Sequence, residues 1–124
     1  MSGRISLGKK GEEIAVNFLQ KQGYKILERN FKKRYGEIDI VALDGNSLVF
    51  IEVKTRFSEE YGSPEESVTS WKLRQIAKTG EFYKLLHPEF PDLLRIDVVA
   101  VELTSQGEVK EIRLIKNAYT QGLS

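Results

Sequence analysis

Gly36-Glu37-Ile38-Asp39-Ile40-Val41-Ala42 and, beyond a polar break, Leu48-Val49-Phe50-Ile51-Glu52-Val53-Lys54-Thr55-Arg56 decide the fold. Both runs are rich in Ile, Val and Phe, and Asp44-Gly45-Asn46-Ser47 between them is turn chemistry, so the pair reads as a β-hairpin. Side chains alternate faces along a strand. Glu37 and Asp39 are therefore expected on one face with Ile38 and Ile40 on the other, and Glu52 and Lys54 on one face with Ile51 and Val53 behind. A Gly45-Asn46 loop pairs Asp44 with Ser47, which sets Asp39 opposite Glu52 and Glu37 opposite Lys54. Opposed carboxylates on neighbouring strands repel; at about 5 Å and an effective dielectric of about 20 the repulsion is on the order of 3 kcal/mol. A divalent cation would remove it, and an all-oxygen set of two carboxylates, backbone carbonyl and water suits Mg2+ or Mn2+ rather than zinc.

Upstream, Leu7, Ile14, Ala15, Phe18 and Leu19 recur at helical spacing between Ser6 and Gln22, with Gly11 on the same stripe and Gly23 past the end as a cap. Glu12 borders this buried stripe, whereas Glu13 falls with Asn17 and Gln20 on the wet face. From the residues alone, Glu12 is a first-turn acid favoured by the helix dipole. Tyr24 to Glu28 reads as a short strand. The run Arg29-Asn30-Phe31-Lys32-Lys33-Arg34-Tyr35 follows, with four cations and two aromatics. It suits phosphate contact with stacking or wedging of a base, or else an ordinary solvated loop.

Downstream of Arg56, residues 57–62 read as a loop. Ser63-Pro64-Glu65-Glu66 carries an N-cap, a proline at the first helical position and a capping-box acid, so a helix is expected from there to about Leu86, along Leu73, Ile76, Ala77, Gly80 and Tyr83. Lys72, Arg74 and Lys78 lie on its other face, a solvated face from which Lys72 can reach the site or a phosphate. Trp71 is expected at the rim of the core. The single histidine, His87, sits beside Pro88 in a loop and reads as structural, which leaves no Ser-His-Asp or Cys-His machinery; no glycine-rich phosphate loop is present. Leu94 to Leu103 is apolar on both faces and reads as a covered central strand. Asp97 within it needs a partner, and a bond to Arg95 or Arg56 is preferred over a further metal-site role. Ser105-Gln106-Gly107 then turns the chain into an edge strand, Val109 to Ile115, and a polar tail begins at about residue 117.

The chain has 124 residues and suits a single domain over 1–124. With no cysteine there is neither a disulfide framework nor a thiol nucleophile. The lack of a long apolar run argues against a signal peptide or membrane span, so a cytoplasmic protein with no membrane partner is expected. Net charge is only +1 although 30% of residues are charged, so local patches must carry any attraction to nucleic acid.

Asp39, followed after the turn by Glu52-Val53-Lys54, resembles the PD-(D/E)xK signature of restriction-type endonucleases and archaeal Holliday junction resolvases. The wider pattern is similar to the YraN-like family of small bacterial proteins. It comprises Gly11-Glu12, Arg29-Asn30, the string from Gly36 to Ala42, Ile51-Glu52-Val53-Lys54-Thr55-Arg56, and Asp97-Val98-Val99, and it covers nearly the whole chain. Ile38 stands where the superfamily signature has proline, a residue often missing in these nucleases.

The resemblance implies an α/β fold, a three-layer α/β/α restriction-endonuclease-like domain with a mixed sheet, which the order helix, strand, hairpin, helix, strand, strand also favours. It implies a Mg2+- or Mn2+-dependent nuclease acting on DNA, branched or otherwise structured. Asp39, Glu52 and the Val53 carbonyl would hold the metal, with Glu12 joining through water. Lys54 would orient or deprotonate the attacking water, and Glu37 would complete the acidic cluster. Arg56 and the basic run (Arg29, Lys32, Lys33, Arg34, Tyr35), with Lys72, would position the backbone. A nuclease that cuts both strands suits a homodimer with two sites about a dyad. Two other classes remain open on the residues: a non-catalytic nucleic-acid module on the same scaffold, and a protein-interaction domain in which Asp39, Glu52 and Lys54 form a structural ion-pair cluster.

Overall fold

The computed structural model describes residues 6–58 and 62–119. Helix α1 spans Leu7–Lys21; Ser6 caps it, its side chain accepting from the Lys9 amide at 3.2 Å. Strands β1 (Lys25–Lys33), β2 (Gly36–Asp44) and β3 (Ser47–Phe57) follow, then a 3-10 turn at Pro64–Ser67, helix α2 (Ser70–Leu86), and strands β4 (Leu93–Leu103) and β5 (Val109–Ile115). The strands lie side by side in the order β1-β2-β3-β4-β5. Only β3 and β4 run parallel, because α2 crosses between them; the other neighbours are antiparallel.

The hairpin turn is as expected. Asp44 pairs with Ser47, and Gly45 takes φ 59, the first central position of a two-residue turn that favours glycine there. Each helix covers one face of the sheet. Ala15, Val16 and Leu19 of α1 pack on Ile40, Ala42, Val49, Ile51, Val99 and Val101. Ile76, Ala77 and Tyr83 of α2 pack on Val41, Leu48, Phe50 and Ile96. The result is the three-layer α/β/α arrangement with a mixed sheet. No helix among the described residues is long and apolar enough to cross a membrane.

Several expectations change. The first strand does not stop at Glu28 but runs through most of the basic stretch to Lys33, leaving Arg34 and Tyr35 as the turn. Ile38 and Ile40 do not share a face: Ile38 packs with Phe31 under α2 and Ile40 under α1. The reason lies across the ladder in Asn30, whose φ of 56 is the left-handed conformation Asn tolerates. It reverses the facing of β1 between Arg29 and Phe31, and β2, paired to both, reverses with it. Finally, the helix expected from Ser63 is two elements. The Ser63 amide donates to Glu66 Oε1 at 3.3 Å, but the turn it heads ends at Val68, whose backbone is extended, and α2 starts afresh with Thr69 as its N-cap. Glu65 is held instead by Arg113 of β5, in a two-pronged pair at 2.7 and 2.8 Å that fixes the 3-10 turn against the sheet edge. Of the expected loop over 57–62, Phe57 belongs to β3, and residues 59–61 lie outside the described residues, as do 120–124 of the tail.

Asp97 is fully buried on the α1 side and fully partnered. It accepts from Tyr24 Oη at 2.7 Å, Arg95 Nε at 2.9 Å and the Asn117 amide at 2.9 Å, while Arg95 also reaches Asp44 at 2.6 Å. The structural reading of this acid therefore holds. Asp97→Ala should lose about 3 kcal/mol of stability, the low end for breaking a buried pair because Arg95 keeps Asp44. Urea unfolding measures that loss, and a Mn2+ titration of the same variant should match wild type; lost metal binding with unchanged stability would contradict the assignment.

Candidate active site

The pairing of β2 with β3 runs from Asp44↔Ser47 to Ile40↔Ile51 and stops. Beyond that point β2 stays with β1 (Phe31↔Ile38 to Lys33↔Gly36), and β3 stays with β4 (Glu52↔Val98 to Phe57↔Leu103). The sheet therefore opens into a notch between its second and third strands. Backbone amides freed in this way need another partner. The Val53 amide finds one in a side chain, donating to Asp39 Oδ2 at 2.8 Å. This departs from the expected pairing: Glu37 is registered with Lys32 of β1, not with Lys54, because the hairpin has already parted.

Asp39 and Glu52 meet in the notch, carboxyl to carboxyl, with a hydrogen bond between them. Glu52 is only 6% exposed. Burial raises Asp39 to about 6; the Val53 amide opposes this, and the charges of Glu12 and Glu37 add to it. Burial and then the Asp39 charge raise Glu52 to about 7, against the pull of Lys72 and Lys54. Both carboxyls are thus raised toward neutrality, where the pair shares a proton.

Helix α1 brings Glu12 to this place through one close contact. A Cβ on Gly11 would lie 1.7 Å from Thr55 Oγ1, so only glycine lets the helix sit this tightly on β3. Glu12 is 15% exposed and Glu13 60%, the border and wet positions expected, but Glu12 is not a first-turn acid, because α1 starts at Leu7 and its first turn carries none. Arg29 is engaged by both, at 3.7 and 3.0 Å, which turns this cation toward α1. Lys54 and Lys72 both face Glu52 electrostatically, Lys72 with the larger effect; it stands in the first turn of α2, where its amide donates to Thr69 Oγ1 at 3.1 Å. Arg56 lies further along β3, opposite Glu102.

The basic run divides. Lys32, Lys33, Arg34 and Tyr35 are exposed. Phe31 is not available to wedge a base, because it is buried and meets Tyr83 edge-on at 4.9 Å. Trp71 does not close the core rim; it is 61% exposed, next to Lys72. His87 stacks on Tyr83 at 4.3 Å and on Phe90 at 5.6 Å, a packing role. Sequence reasoning missed Thr55, whose Oγ1 is buried beside Gly11 without a hydrogen-bond partner among the described residues; nothing in Lys54-Thr55-Arg56 singles it out.

Among the described residues no three His, Cys, Asp or Glu side chains converge as a metal cluster. The donor set is the two carboxylates Asp39 and Glu52, with backbone carbonyl and solvent to complete it. That set fits Mg2+, which is held through one or two carboxylates and keeps several waters, and it does not fit a tetrahedral zinc site.

Residues 11–101 match the uncharacterised protein family UPF0102, a span that runs from Gly11 of α1 through both carboxylates, Lys54 and Lys72 to Val101 of β4. A UPF0102 protein of Caldicellulosiruptor saccharolyticus is 46% identical over 113 residues, 91% of this chain and 96% of the relative. One from Geobacter metallireducens is 48% identical over 114 residues, 92% of each chain, and one from Clostridium botulinum is 47% identical over 116 residues, 91% of this chain and 93% of its own. Matched over most of its length by the family and nearly end to end by such relatives, the chain belongs to the UPF0102 family, the YraN-like group that its motifs resemble.

Proposed function

We propose that this protein is a Mg2+- or Mn2+-dependent endonuclease that hydrolyses DNA phosphodiester bonds, with branched or otherwise structured DNA as its substrate class. One observation carries the reading: Asp39 and Glu52 are driven together at the point where the hairpin parts, with two lysines facing Glu52. A purely structural cluster gains nothing from two acids that must share a proton, whereas a phosphate site needs oxygen ligands for a cation and ammonium groups for the phosphate in one place. Asp39, Glu52 and the Val53 carbonyl would hold the cation, with Glu12 joining through water. When bound, the cation supplies a nucleophilic water at neutral pH and charge stabilisation at the phosphate. Lys54, as an ammonium, would orient that water and counter the charge developing on the phosphate, Lys72 would bind a non-bridging phosphate oxygen, and Glu37 would add to the negative field that draws the cation in. Lys32, Lys33 and Arg34, exposed along and beyond β1, hold the flanking backbone.

Calorimetric titration of the metal-free protein with Mg2+ and Mn2+ tests this directly. Asp39→Asn should weaken Mn2+ binding by at least about 100-fold, since even groups one shell removed from a metal are worth about 10- to 100-fold, and should abolish cleavage while thermal unfolding stays cooperative. Unchanged metal-dependent cleavage in that variant sinks the assignment. Wild-type protein that binds DNA without binding metal or cleaving would make it a non-catalytic module.

The shared proton gives a second test. Asp39 and Glu52 are raised in the folded state, so the stability they contribute is complete below the ordinary carboxylate range and is lost as pH rises through about 6 to 7. The metal-free protein should therefore melt at lower temperature as pH rises across that window, and Glu52→Gln should flatten the trend. Saturating Mn2+ should reverse it, because the cation binds the deprotonated pair. A metal-free melting temperature that rises across the window would contradict the paired-acid description.

A further inference from the structure

The turn between β1 and β2 lies against α2: a Cβ at Gly36 would sit 3.5 Å from Thr79 Oγ1 and 3.8 Å from Gln75 Cβ. Where the turn overhangs the helix, a cavity of about 260 Å³ opens, lined by Lys33, Arg34, Tyr35 and Phe82. A shallower groove continues from Tyr35 and Phe82 along α2 to Lys78, Glu81 and Leu85. Tyr35 is 46% exposed, in contrast to Phe31, which the core uses. Lys33, Arg34 and Lys78 make no ion pair among the described residues, and the Lys33 ammonium hovers 5.7 Å from the Phe31 ring. An aromatic slot rimmed by free cations offers a π-face to a flat ring and positive charge to the phosphate attached to it. The slot is a half-open recess under a turn, large enough for a flat ring; a base stacked and paired within a duplex has no free face to present. Tyr35 immediately precedes β2, whose first residue, Gly36, lies about 10 Å along the strand from Asp39 at about 3.3 Å per residue, so the turn leads directly into the strand that carries the acid into the notch.

We propose that this pocket binds one unpaired nucleobase of single-stranded DNA, stacked against Tyr35 and Phe82 with its phosphates on Lys33, Arg34 and Lys78, and so holds a displaced strand beside the acidic notch. The inference deepens the nuclease reading by naming the strand form that the protein selects, and it rests on that reading only for its purpose. The binding step requires neither metal nor cleavage.

Fluorescence anisotropy in EDTA, with three probes, provides the test: labelled oligothymidylate, an oligomer of the same length without bases, and a duplex. Tyr35→Ala should weaken binding of oligothymidylate about 5- to 150-fold, the worth of one stacked base, and leave the abasic oligomer unchanged; Tyr35→Phe should bind oligothymidylate as wild type does. Arg34→Ala should weaken both single-stranded probes alike and lower the salt slope by about one. Tyr35 is a surface side chain, and melting of the Tyr35→Ala protein establishes that it folds. Equal losses on thymidylate and abasic probes would mean phosphate contact without a base site and overturn the proposal. A larger loss on duplex, or wild-type protein that binds none of the probes, would overturn it too. Because nothing is cleaved in EDTA, an inactive nuclease leaves a positive result standing, and a negative result leaves the metal-binding tests untouched.

Discussion

The hydrogen bond from the Val53 amide to Asp39 Oδ2 stands at the point on which the rest of the structure turns. A hairpin whose strands stayed together would satisfy that amide with the opposite backbone and leave no room between them. Here β2 follows β1 and β3 follows β4, and the carboxylate closes the ladder where the backbone no longer can. One side chain thus does two things: it ends the pairing without an orphaned donor, and it commits a carboxylate to the bottom of the opening. Glu52, next along β3, has no choice but to face it.

The surrounding architecture makes this unfavourable meeting persist. Ile40, Ala42, Val49 and Ile51 are buried under α1, and Val41, Leu48 and Phe50 under α2, so neither strand can slip by one residue without turning its apolar set to the wrong face. The left-handed Asn30 lets β1 and β2 change facing just before the notch, which places Ile38 with Phe31 under α2 while Arg29 remains on the α1 side with Glu12 and Glu13. Two networks anchor the periphery. Asp97, Tyr24, Arg95 and Asp44 tie β4 to the chain after α1 and to the hairpin turn. Arg113 holds Glu65, Glu102 and Glu111, and so pins the 3-10 turn that precedes α2. Both lie outside the notch, and the charges within it are left to one another and to what binds there.

The hairpin was legible in the sequence because turn chemistry and period-two burial are local. The same holds for α1 and its glycine cap at Gly23, for β5, and for the partnered state of Asp97, where a charged residue in a strand apolar on both faces admits few readings. The acids Asp39 and Glu52 and the cation Lys54 were legible as a group for the same reason. The extent of β1 was not, because a run with four cations has low strand propensity and only the pairing with β2 makes it a strand. The break between the 3-10 turn and α2 was hidden too: Ser63 to Glu66 is a valid helix start, and it is the tie from Glu65 to Arg113, distant in sequence, that ends it after one turn.

What the sequence determined by itself was therefore the set of elements, their apolar faces, and which acids and cations belong to one neighbourhood, since each of these follows from spacing along the chain. What only the tertiary structure decided was where the hairpin parts, that Phe31 is core while Tyr35 and Trp71 are surface, and that Lys72 comes to Glu52 from a helix nearly twenty residues on. Those outcomes depend on packing between segments far apart in the chain. Periodicity says which side of an element is apolar, but not which neighbour will cover it or where that cover ends.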